Sequence, residues 1–304
     1  MNTTDFKYEH IVTGEESGLT INQILRSNYK FSSRFRTKMK YQSLVYLNGE
    51  QAPGYIRPEP GDIIGIKLPE ETSDFPPEDI PLDIVYEDSD LILINKQPGI
   101  IVHPTKGHPE HTIANGVMKY MADTGQSFKV RFANRIDMDT SGIIIVAKNA
   151  NAQNDLSSQM RRGTVIKKYI ALVQGSVDES HFIVDLPIGR PTQESIRRTV
   201  MDEGGKQAVS EVSVLQRFTS EEYGPHTLVE VLLHTGRTHQ IRVHLSHIGH
   251  IIAGDELYSA RCDLIGRQAL HAYHIEFDHP ATGEKMSFSI DLPEDIKSAI
   301  DKLK

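Results

Sequence analysis

Apolar and polar positions divide the chain into a short helical segment and a longer segment rich in strands. Near the N-terminus, helical spacing predicts helices over 20–26 and 32–40. Strands are expected at 44–48 and 63–68, each beside a glycine-containing turn. Two helices with a small sheet predict a compact α/β unit, to which we assign residues 1–70.

Strand patterns dominate the rest of the chain. Alternation predicts a hairpin of 84–86 and 91–95 around the turn Asp88-Ser89-Asp90, with a third short strand at 99–102. Further strands are expected at 142–147, 164–173, 209–215, 227–233, 270–277 and 285–290, and helices at 112–121, 149–162 and 293–304. Many strands with few interleaved helices predict an α+β fold with a mixed, largely antiparallel sheet over residues 82–304.

Composition is that of an ordinary globular protein. Of 304 residues, 38% are hydrophobic and 24% charged, which excludes intrinsic disorder, collagen and coiled coil. The longest apolar run, 143–147, is far shorter than the ~20 residues of a membrane span, and the first ten residues do not resemble a secretory signal. A single cysteine, Cys262, excludes an intrachain disulfide. We therefore expect a cytoplasmic protein and, with no sequence feature that specifies an oligomer, a monomer.

Charge is unevenly distributed along a chain whose net charge is −8. Residues 17–49 contain no acidic side chain but six basic ones: Arg26, Lys30, Arg34, Arg36, Lys38 and Lys40. An acidic, proline-rich segment follows, and we interpret 71–81 as a linker. A basic block of this kind is either a solvated face or a surface for nucleic acid.

The first candidate site is the polar segment 134–142, directly before the apolar run. Its carboxylates, Asp137 and Asp139, allow three interpretations. They could flank a sugar as in a glycosidase, bind a metal with further ligands, or cap their own backbone in a turn. From residue types alone the turn is favoured, and the other two interpretations stay open.

The second candidate is the segment 234–250, which contains five histidines. Zinc is disfavoured, because His239, His244 and His247 lack the paired spacing with an adjacent Glu that places two ligands and a base on one helix face. The arginines Arg237 and Arg242 are the better indication of function, since a guanidinium pairs bidentately with carboxylate or phosphate.

The third candidate is the alternating segment 167–173, in which Tyr169 is either a core residue or a platform for a stacked base. The chain contains neither a glycine-rich dinucleotide loop nor a phosphate-binding GxxxxGK[ST] motif, which disfavours a nucleotide cofactor.

Taken in order, these segments resemble the RluA family of pseudouridine synthases. The resemblance extends from about residue 84 to 288 and includes VHP, TIAN, NRIDMDTSGIIIVAKN, KKYIALVQG, HTGRTHQIRVHLSHIGHIIAGDELY and LHA. The basic N-terminal unit resembles, over a shorter stretch, the alpha-L RNA-binding fold of ribosomal small-subunit proteins.

The resemblance implies an isomerase that converts uridine in structured RNA to pseudouridine without a cofactor or metal. It implies that Asp137 is catalytic, that Tyr169 stacks on the uracil, and that Arg242 pairs with Asp137. Arg135 would contact the substrate. Such a carboxylate needs a counter-charge in a closed site, and the uridine must leave its stack at a cost of a few kcal/mol. Phosphates of the RNA would be bound by Arg34, Arg36, Lys38 and Lys40.

The sequence departs from the family pattern at two positions. Asn134 stands where the family usually has His, and Ile136 where it has Leu. Asn cannot titrate, so an acid–base role at position 134 is in doubt. Two other classes of protein remain as alternatives: a non-catalytic RNA-binding protein and a glycoside or nucleoside hydrolase that uses Asp137 and Asp139. For the isomerase, ribosomal RNA is the first expectation and transfer RNA the second.

Overall fold

The computed structural model describes residues 6–31, 33–68, 71–105, 107–258 and 262–304, with only the backbone at Arg34. Two main sheets organise this part of the chain. None of its helices is long and apolar enough to cross a membrane.

The smaller sheet belongs to the N-terminal unit. Its elements are β1 (Tyr8–Ile11), α1 (Ile21–Asn28), α2 (Ser33–Tyr41), β2 (Val45–Leu47), β3 (Glu50–Gln51) and β4 (Ile63–Ile66). The antiparallel strands lie in the order β1-β4-β2-β3. Thr20 begins α1 because its hydroxyl accepts from the Gln23 amide while the Gln23 side chain bonds back to Thr20. Both predicted helices are confirmed, whereas β1 and β3 were not predicted.

The larger sheet contains ten strands within the described residues. The remaining strands of the chain are β5 (Asp83–Glu87), β6 (Leu91–Lys96), β7 (Arg131–Phe132), β8 (Ser141–Ala147), β9 (Ile166–Gln174), β10 (His181–Asp185), β11 (Ile188–Gly189), β12 (Thr199–Val200), β13 (Val209–Ser220), β14 (Gly224–Leu233), β15 (Leu270–Asp278) and β16 (Lys285–Ser289). The helices are α3 (Ile113–Thr124), α4 (Ala150–Arg162), α5 (Gln240–His247) and α6 (Glu294–Lys302).

Strand order brings the predicted site segments together. The order is β10-β13-β14-β9-β15-β8-β6-β5, with β16 paired to β15 and β7 to β8, while β11 and β12 form a separate pair. Every pair in the large sheet is antiparallel except β8 with β15. The predicted mixed, largely antiparallel α+β fold is therefore confirmed. The start of β8 lies one strand away from β9, which carries Tyr169.

The central strand β8 is buried along its whole length. Ile144 and Val146 pack toward α3, whereas Ile143 and Ile145 pack toward α4. Coverage on both faces explains why this segment is continuously apolar instead of alternating. A strand held on two faces provides a rigid base for the polar loop that precedes it.

One predicted strand, at 99–102, is wrong. The segment makes only an isolated bridge between Ile101 and Thr112. Gly99 has a positive φ of 81°, and the carbonyl oxygen of Ile100 accepts from the Lys96 ammonium instead of from a neighbouring strand. The division into 1–70, a linker at 71–81 and 82–304 stays a prediction.

Candidate active site

The loop that carries Asp137 connects β7 to β8. Buried or half-buried side chains donate hydrogen bonds to its backbone carbonyl oxygens. Lys96 is fully buried, and its Nζ donates to the carbonyl oxygen of Met138 at 2.8 Å as well as to those of Gln97 and Ile100. Arg267 Nη1 donates to the carbonyl oxygen of Asp139 at 2.9 Å. These bonds fix the loop backbone at the two residues that follow Asp137.

Asn134 has a structural role at the start of this loop. Its Nδ2 donates to the carbonyl oxygen of Ile143 at 3.2 Å, and its Oδ1 accepts from the Ile145 amide at 2.8 Å. The side chain thus continues the pairing of β7 with β8 after β7 has ended. This contact needs a side chain that both donates and accepts, which the Asn134 amide does without proton transfer.

Arg242, on α5, lies between two carboxylates. Its Nη1 donates to Asp137 Oδ2 at 3.0 Å, while Nε and Nη2 donate to Asp255 at 2.7 and 2.8 Å. Arg242 and Asp255 are almost completely buried, whereas 25% of the Asp137 side chain is exposed. Burial acts to lower the pKa of Arg242, but Asp255 and then Asp137 outweigh it and raise that pKa. The expected ion pair between Arg242 and Asp137 is therefore present, with Asp137 as its accessible member.

The loop before α5 is shaped by Gln240 and His239. Gln240 accepts from Thr235 Oγ1 at 2.8 Å and from the Arg237 amide at 3.0 Å, and it donates to the Val209 carbonyl on β13 at 2.9 Å. His239 precedes the helix in the left-handed region, with φ 59°. The turn places the His239 ring beside the candidate site.

His239 links Asp137 to Tyr258. Its Nδ1 lies 3.0 Å from the Tyr258 hydroxyl, and its Nε2 lies 3.9 Å from Asp137 Oδ2. Burial lowers the pKa of His239. The charge of Asp137 acts to raise this pKa, and the charge of Arg242 acts to lower it further. The Tyr258 hydroxyl also accepts from the Arg198 amide at 2.9 Å, and its ring lies 5.2 Å from the Arg242 guanidinium carbon.

Tyr169 contributes an aromatic ring from β9 to the same cleft. The cleft is lined by Arg135, Asp137, Tyr169, Leu233, Arg237 and Arg242, among others. Tyr169 is 8% exposed, and burial together with the charge of Asp137 raises the pKa of its phenol well above the usual range. The phenol is therefore neutral at physiological pH.

Lys167 also belongs to this face of β9, since residues two apart on a strand point the same way. Among the described residues its ammonium has no hydrogen-bond or ion-pair partner, and burial lowers its pKa. It lies close to Gly236, where a β-carbon added to the glycine would be 3.4 Å from Nζ. A half-buried cation without a counter-charge is costly unless a ligand supplies one.

The remaining predicted site residues lie in two places, the cleft and α2. Arg135 is exposed at the mouth of the cleft. On α2, Arg36 is bonded to the carbonyl oxygen of Phe31 at 2.5 Å and to Ser33 Oγ at 3.2 Å, while Lys38 is half-buried and Lys40 exposed. The Arg34 side chain lies outside the described residues.

The histidine-rich segment does not converge on a metal-binding geometry in the described structure. His244 is fully buried, with Nδ1 2.9 Å from Ser210 Oγ and Nε2 2.9 Å from the Leu186 carbonyl oxygen. In the described part of the chain, the group with suitably spaced ligands is Asp88, Asp90 and His279, near the N-terminal unit. Those side chains are hydrogen-bonded within the protein.

Sequence reasoning missed several side chains that build this site, including Asp255, Tyr258, Lys96 and Lys167. Asp255 and Tyr258 lie in the GDELY segment, and Lys167 lies in KKY, so the motifs contained them without indicating their contacts. A buried lysine such as Lys96 has no local pattern that distinguishes it from a solvated one. As a whole, the arrangement holds a carboxylate and an aromatic ring in the lining of one cleft.

Comparison with known proteins identifies the family of the chain. The sequence model of the family described as RNA pseudouridylate synthase matches residues 90–247, which include the Asp137 loop, Tyr169 and α5. An uncharacterized RNA pseudouridine synthase of Bacillus subtilis, YjbO, is 40% identical over 88% of this chain and 94% of its own length. Ribosomal large subunit pseudouridine synthase D of Pseudomonas aeruginosa is 40% identical over 72% of this chain and 70% of its own.

A solved structure shows the same fold. Human RNA pseudouridylate synthase domain containing 1 has a TM-score of 0.58 and 27% identity, and the match covers 71% of this chain and 85% of that one. The family match spans the large sheet from β6 to α5, and it contains each of the three segments that meet around Asp137. The chain belongs to the RluA family of RNA pseudouridine synthases, isomerases that convert uridine in RNA to pseudouridine.

Proposed function

We propose that this isomerase modifies uridine in large-subunit ribosomal RNA and that Asp137 is its catalytic residue. The observation that carries the second part is the ion pair of Asp137 with Arg242, at 3.0 Å. Asp255 accepts two hydrogen bonds from Arg242 and so fixes the guanidinium, while 25% of the Asp137 side chain stays exposed in the lining of the cleft. Asp139 has a different environment, since its carbonyl oxygen, rather than its carboxylate, accepts from Arg267.

The reaction breaks the bond from N1 of uracil to C1′ of ribose and forms one from C5 to C1′. The proton leaves C5 and N1 gains one, so the mass of the RNA does not change. An ionised Asp137 can attack the sugar or the base, or remove the ribose proton next to C1′. Each of these three routes uses the Asp137 carboxylate, and the fixed guanidinium beside it supplies a counter-charge in a site from which water is excluded.

Tyr169 supports the step in which the base leaves the RNA stack. Unstacking costs a few kcal/mol, and stacking on an aromatic side chain returns roughly 1–3 kcal/mol per base. Its phenol is neutral, because burial and Asp137 both raise its pKa. This favours water, rather than the phenolate, as the base that accepts the C5 proton.

The choice of ribosomal RNA is supported by relatives named ribosomal large subunit pseudouridine synthase D, one of them 40% identical. The basic N-terminal unit supports a structured RNA more generally, because lysine and arginine contacts to phosphate position a protein without reading sequence. Transfer RNA is the second candidate. A ribosomal substrate also agrees with a monomeric enzyme that acts in the cytoplasm.

The test compares RNA from the parent strain with RNA from a strain that lacks the gene. Pseudouridine is mapped by carbodiimide-dependent primer-extension stops in ribosomal and transfer RNA. The deletion strain is complemented with wild type, D137N or D139N, the last serving as a matched carboxylate control. We expect a stop in large-subunit ribosomal RNA to disappear on deletion and to return with wild type and D139N, but not with D137N.

Purified enzyme and a large-subunit ribosomal RNA transcript complete the test. Wild type should form pseudouridine without releasing uracil, and free uracil would instead indicate a hydrolase. A stop lost only from transfer RNA, or no product on the ribosomal transcript, overturns the proposed substrate. Restoration of the stop by D137N overturns the catalytic assignment.

A further inference from the structure

A second groove lies between the N-terminal unit and the catalytic part of the chain. Its volume is about 760 Å³. One wall comes from the N-terminal unit and includes Lys7 and Lys38, and the other includes Lys129 and the first turn of α4. Asp137 and this groove lie at opposite ends of β8, whose seven residues span about 20 Å.

The groove is strongly basic within an acidic protein. Five of its described lining residues are cations, and one is acidic: the cations are Lys7, Lys38, Lys129, Arg131 and Lys148, and the acid is Glu71. The lining therefore has a formal charge of +4, whereas the whole chain has −8. Local concentration of one sign of charge in a cleft attracts a ligand of the other sign.

The cations of the groove differ in whether a protein carboxylate already neutralises them. Lys148 is paired with Glu87 and Arg131 with Glu71, both at 2.5 Å. For Lys7, Lys38 and Lys129 no ion-pair partner exists among the described residues. These three ammonium groups come from both walls, so a ligand that neutralises them has to lie along the groove.

RNA has the chemistry that this lining requires. Its phosphates supply anions at regular intervals, and amide side chains such as Gln153 and Asn154 on α4 suit sugar hydroxyls and phosphate oxygens. Phe6 adds a partly accessible ring on which a base can stack. Because the enzyme acts on RNA, a substrate whose uridine reaches Asp137 extends over several nucleotides to this end of β8.

We propose that the groove between the N-terminal unit and α4 binds the phosphate backbone of the substrate RNA, through Lys7, Lys38 and Lys129. The inference rests on the proposed function, because the same ribosomal RNA has to reach both Asp137 and the groove. From the sequence, the RNA-binding surface is expected on α2 alone. The groove adds a second wall to this surface, formed by Lys129 and the first turn of α4.

The test measures binding of the full chain to a large-subunit ribosomal RNA transcript at several salt concentrations. The variant K38Q/K129Q removes one unpaired cation from each wall. The control K297Q/K302Q removes two exposed lysines of α6 and changes the net charge equally. We expect the slope of log affinity against log salt to fall in magnitude by about two in the groove variant, since each phosphate contact contributes roughly one. The control should match wild type.

Photo-crosslinking of the same complex locates the RNA directly. Crosslinked peptides should include 126–131 and the start of α4, and thermal unfolding should show that both variants are folded. Equal salt slopes for the two double variants, or crosslinks confined to the cleft around Asp137, would overturn the inference. Turnover of saturating RNA by wild type is measured in parallel. If wild type forms no pseudouridine while the groove effects persist, the proposed ribosomal target fails, and the groove is shown to bind RNA but not this enzyme's substrate.

Discussion

At the scale of single residues, the cleft around Asp137 contains charged side chains that are either ion-paired or left without a counter-charge among the described residues. Arg242 is shared between Asp255, which is buried, and Asp137, which is accessible. Lys167 has no counter-charge among the described residues. Each arrangement predicts a distinct effect of substitution.

Asp255→Asn should destabilise the protein and slow the reaction. The change leaves a buried guanidinium without its main carboxylate partner, which typically costs about 3–5 kcal/mol in the free energy of unfolding. Arg242 would also lose the contact that orients it toward Asp137, so kcat should fall in the fraction that folds. The measurements are urea unfolding and pseudouridine formation on ribosomal RNA.

Asp295→Asn is the matched control for Asp255→Asn. Asp295 also accepts two bonds from an arginine, Arg267, but 41% of its side chain is exposed. Exposed pairs contribute ~0–1 kcal/mol, so the control should remain close to wild type. Equal losses in the two variants would contradict a special role for the buried pair.

Lys167→Gln should weaken RNA binding at the cleft. If the ammonium binds a phosphate near the target uridine, losing one charge-assisted bond of ~1.5 kcal/mol raises KM roughly tenfold. Lys168→Gln is the control, because Lys168 points to the other face of β9 and is 3.2 Å from Glu230. A fall in kcat at constant KM, or the same rise in KM for both variants, would show that Lys167 does not bind the ground-state RNA.

At the scale of elements, β15 lies between β8, which follows the Asp137 loop, and β9, which carries Tyr169. Gly142 pairs with Ala272 and has a φ of 121°. A β-carbon at position 142 would lie 2.3 Å from the Ala272 carbonyl oxygen. Only glycine lets these strands pair, because both the backbone angle and the available space exclude a side chain.

Gly142→Ala should therefore lower stability and kcat together, since it separates the strands beneath the Asp137 loop. Gly224→Ala is the control: position 224 also has a positive φ, of 72°, but no neighbouring atom within 4 Å of the added carbon. It should cost ~1–2 kcal/mol for the left-handed backbone and leave kcat unchanged. Urea unfolding and turnover measure both effects. If G142A loses no more stability than G224A, the strands can adjust and the contact is not critical.

Elements with a local pattern were predictable from the sequence, and elements stabilised by distant contacts were not. The hairpin of β5 and β6 and helices such as α4, capped by Asn149 and ended by Gly163, follow local rules. By contrast, six of the eight residues of α5 are buried, so no apolar stripe marks it as a helix. Its start depends on Gln240 bonded to β13, a contact between residues far apart in sequence.

The candidate site shows the same division. Asp137, Tyr169 and Arg242 could be proposed from motifs, and the structure brings them to one cleft. Asp255 and Lys96 act through contacts whose partners no spacing rule indicates. Lys96, for example, bonds to the Met138 carbonyl oxygen 42 positions away.

At the scale of the whole molecule, the N-terminal unit packs against two turns of the catalytic part. The Tyr8 hydroxyl on β1 donates to Asp90 in the β5–β6 turn. Ala281, in the β15–β16 turn, packs with the apolar core of the unit, and its carbonyl oxygen accepts from the Lys30 amide at 3.2 Å. This junction forms one end of the basic groove, so its stability bears on RNA binding as well as on folding.

Asp88 holds the β5–β6 turn at the junction through its hydrogen bonds. Because these bonds depend on its charge, the stability of the turn should fall at low pH. Asp88 accepts from the Tyr86 hydroxyl, the amides of Asp90 and Leu91, and His279 Nε2, all between 2.7 and 2.9 Å. Burial acts to raise the pKa of Asp88, but these four donors outweigh it and hold that pKa well below the unfolded value of 3.8. A carboxyl group whose pKa is lowered by folding stabilises the native state at pH values above its pKa in the unfolded chain. This contribution is lost as pH falls toward its pKa in the folded protein.

The difference in unfolding free energy between wild type and D88N should accordingly shrink as pH falls from about 5 through 3.8 toward 2. Asp88 also raises the pKa of His279 above 6.5, so the difference should be largest at about pH 5–6 and shrink again as pH rises through the pKa of His279. Hydrogen exchange of β1 should quicken over the acid range, because the turn that holds Asp90 loosens. D83N removes an exposed carboxylate that accepts one bond, from Asn95, and it controls for net charge. If the wild-type and D88N profiles stay parallel down to pH 2, the hydrogen bonds to Asp88 do not stabilise the junction, and its order must come from the apolar contacts of Ala281 and Tyr8.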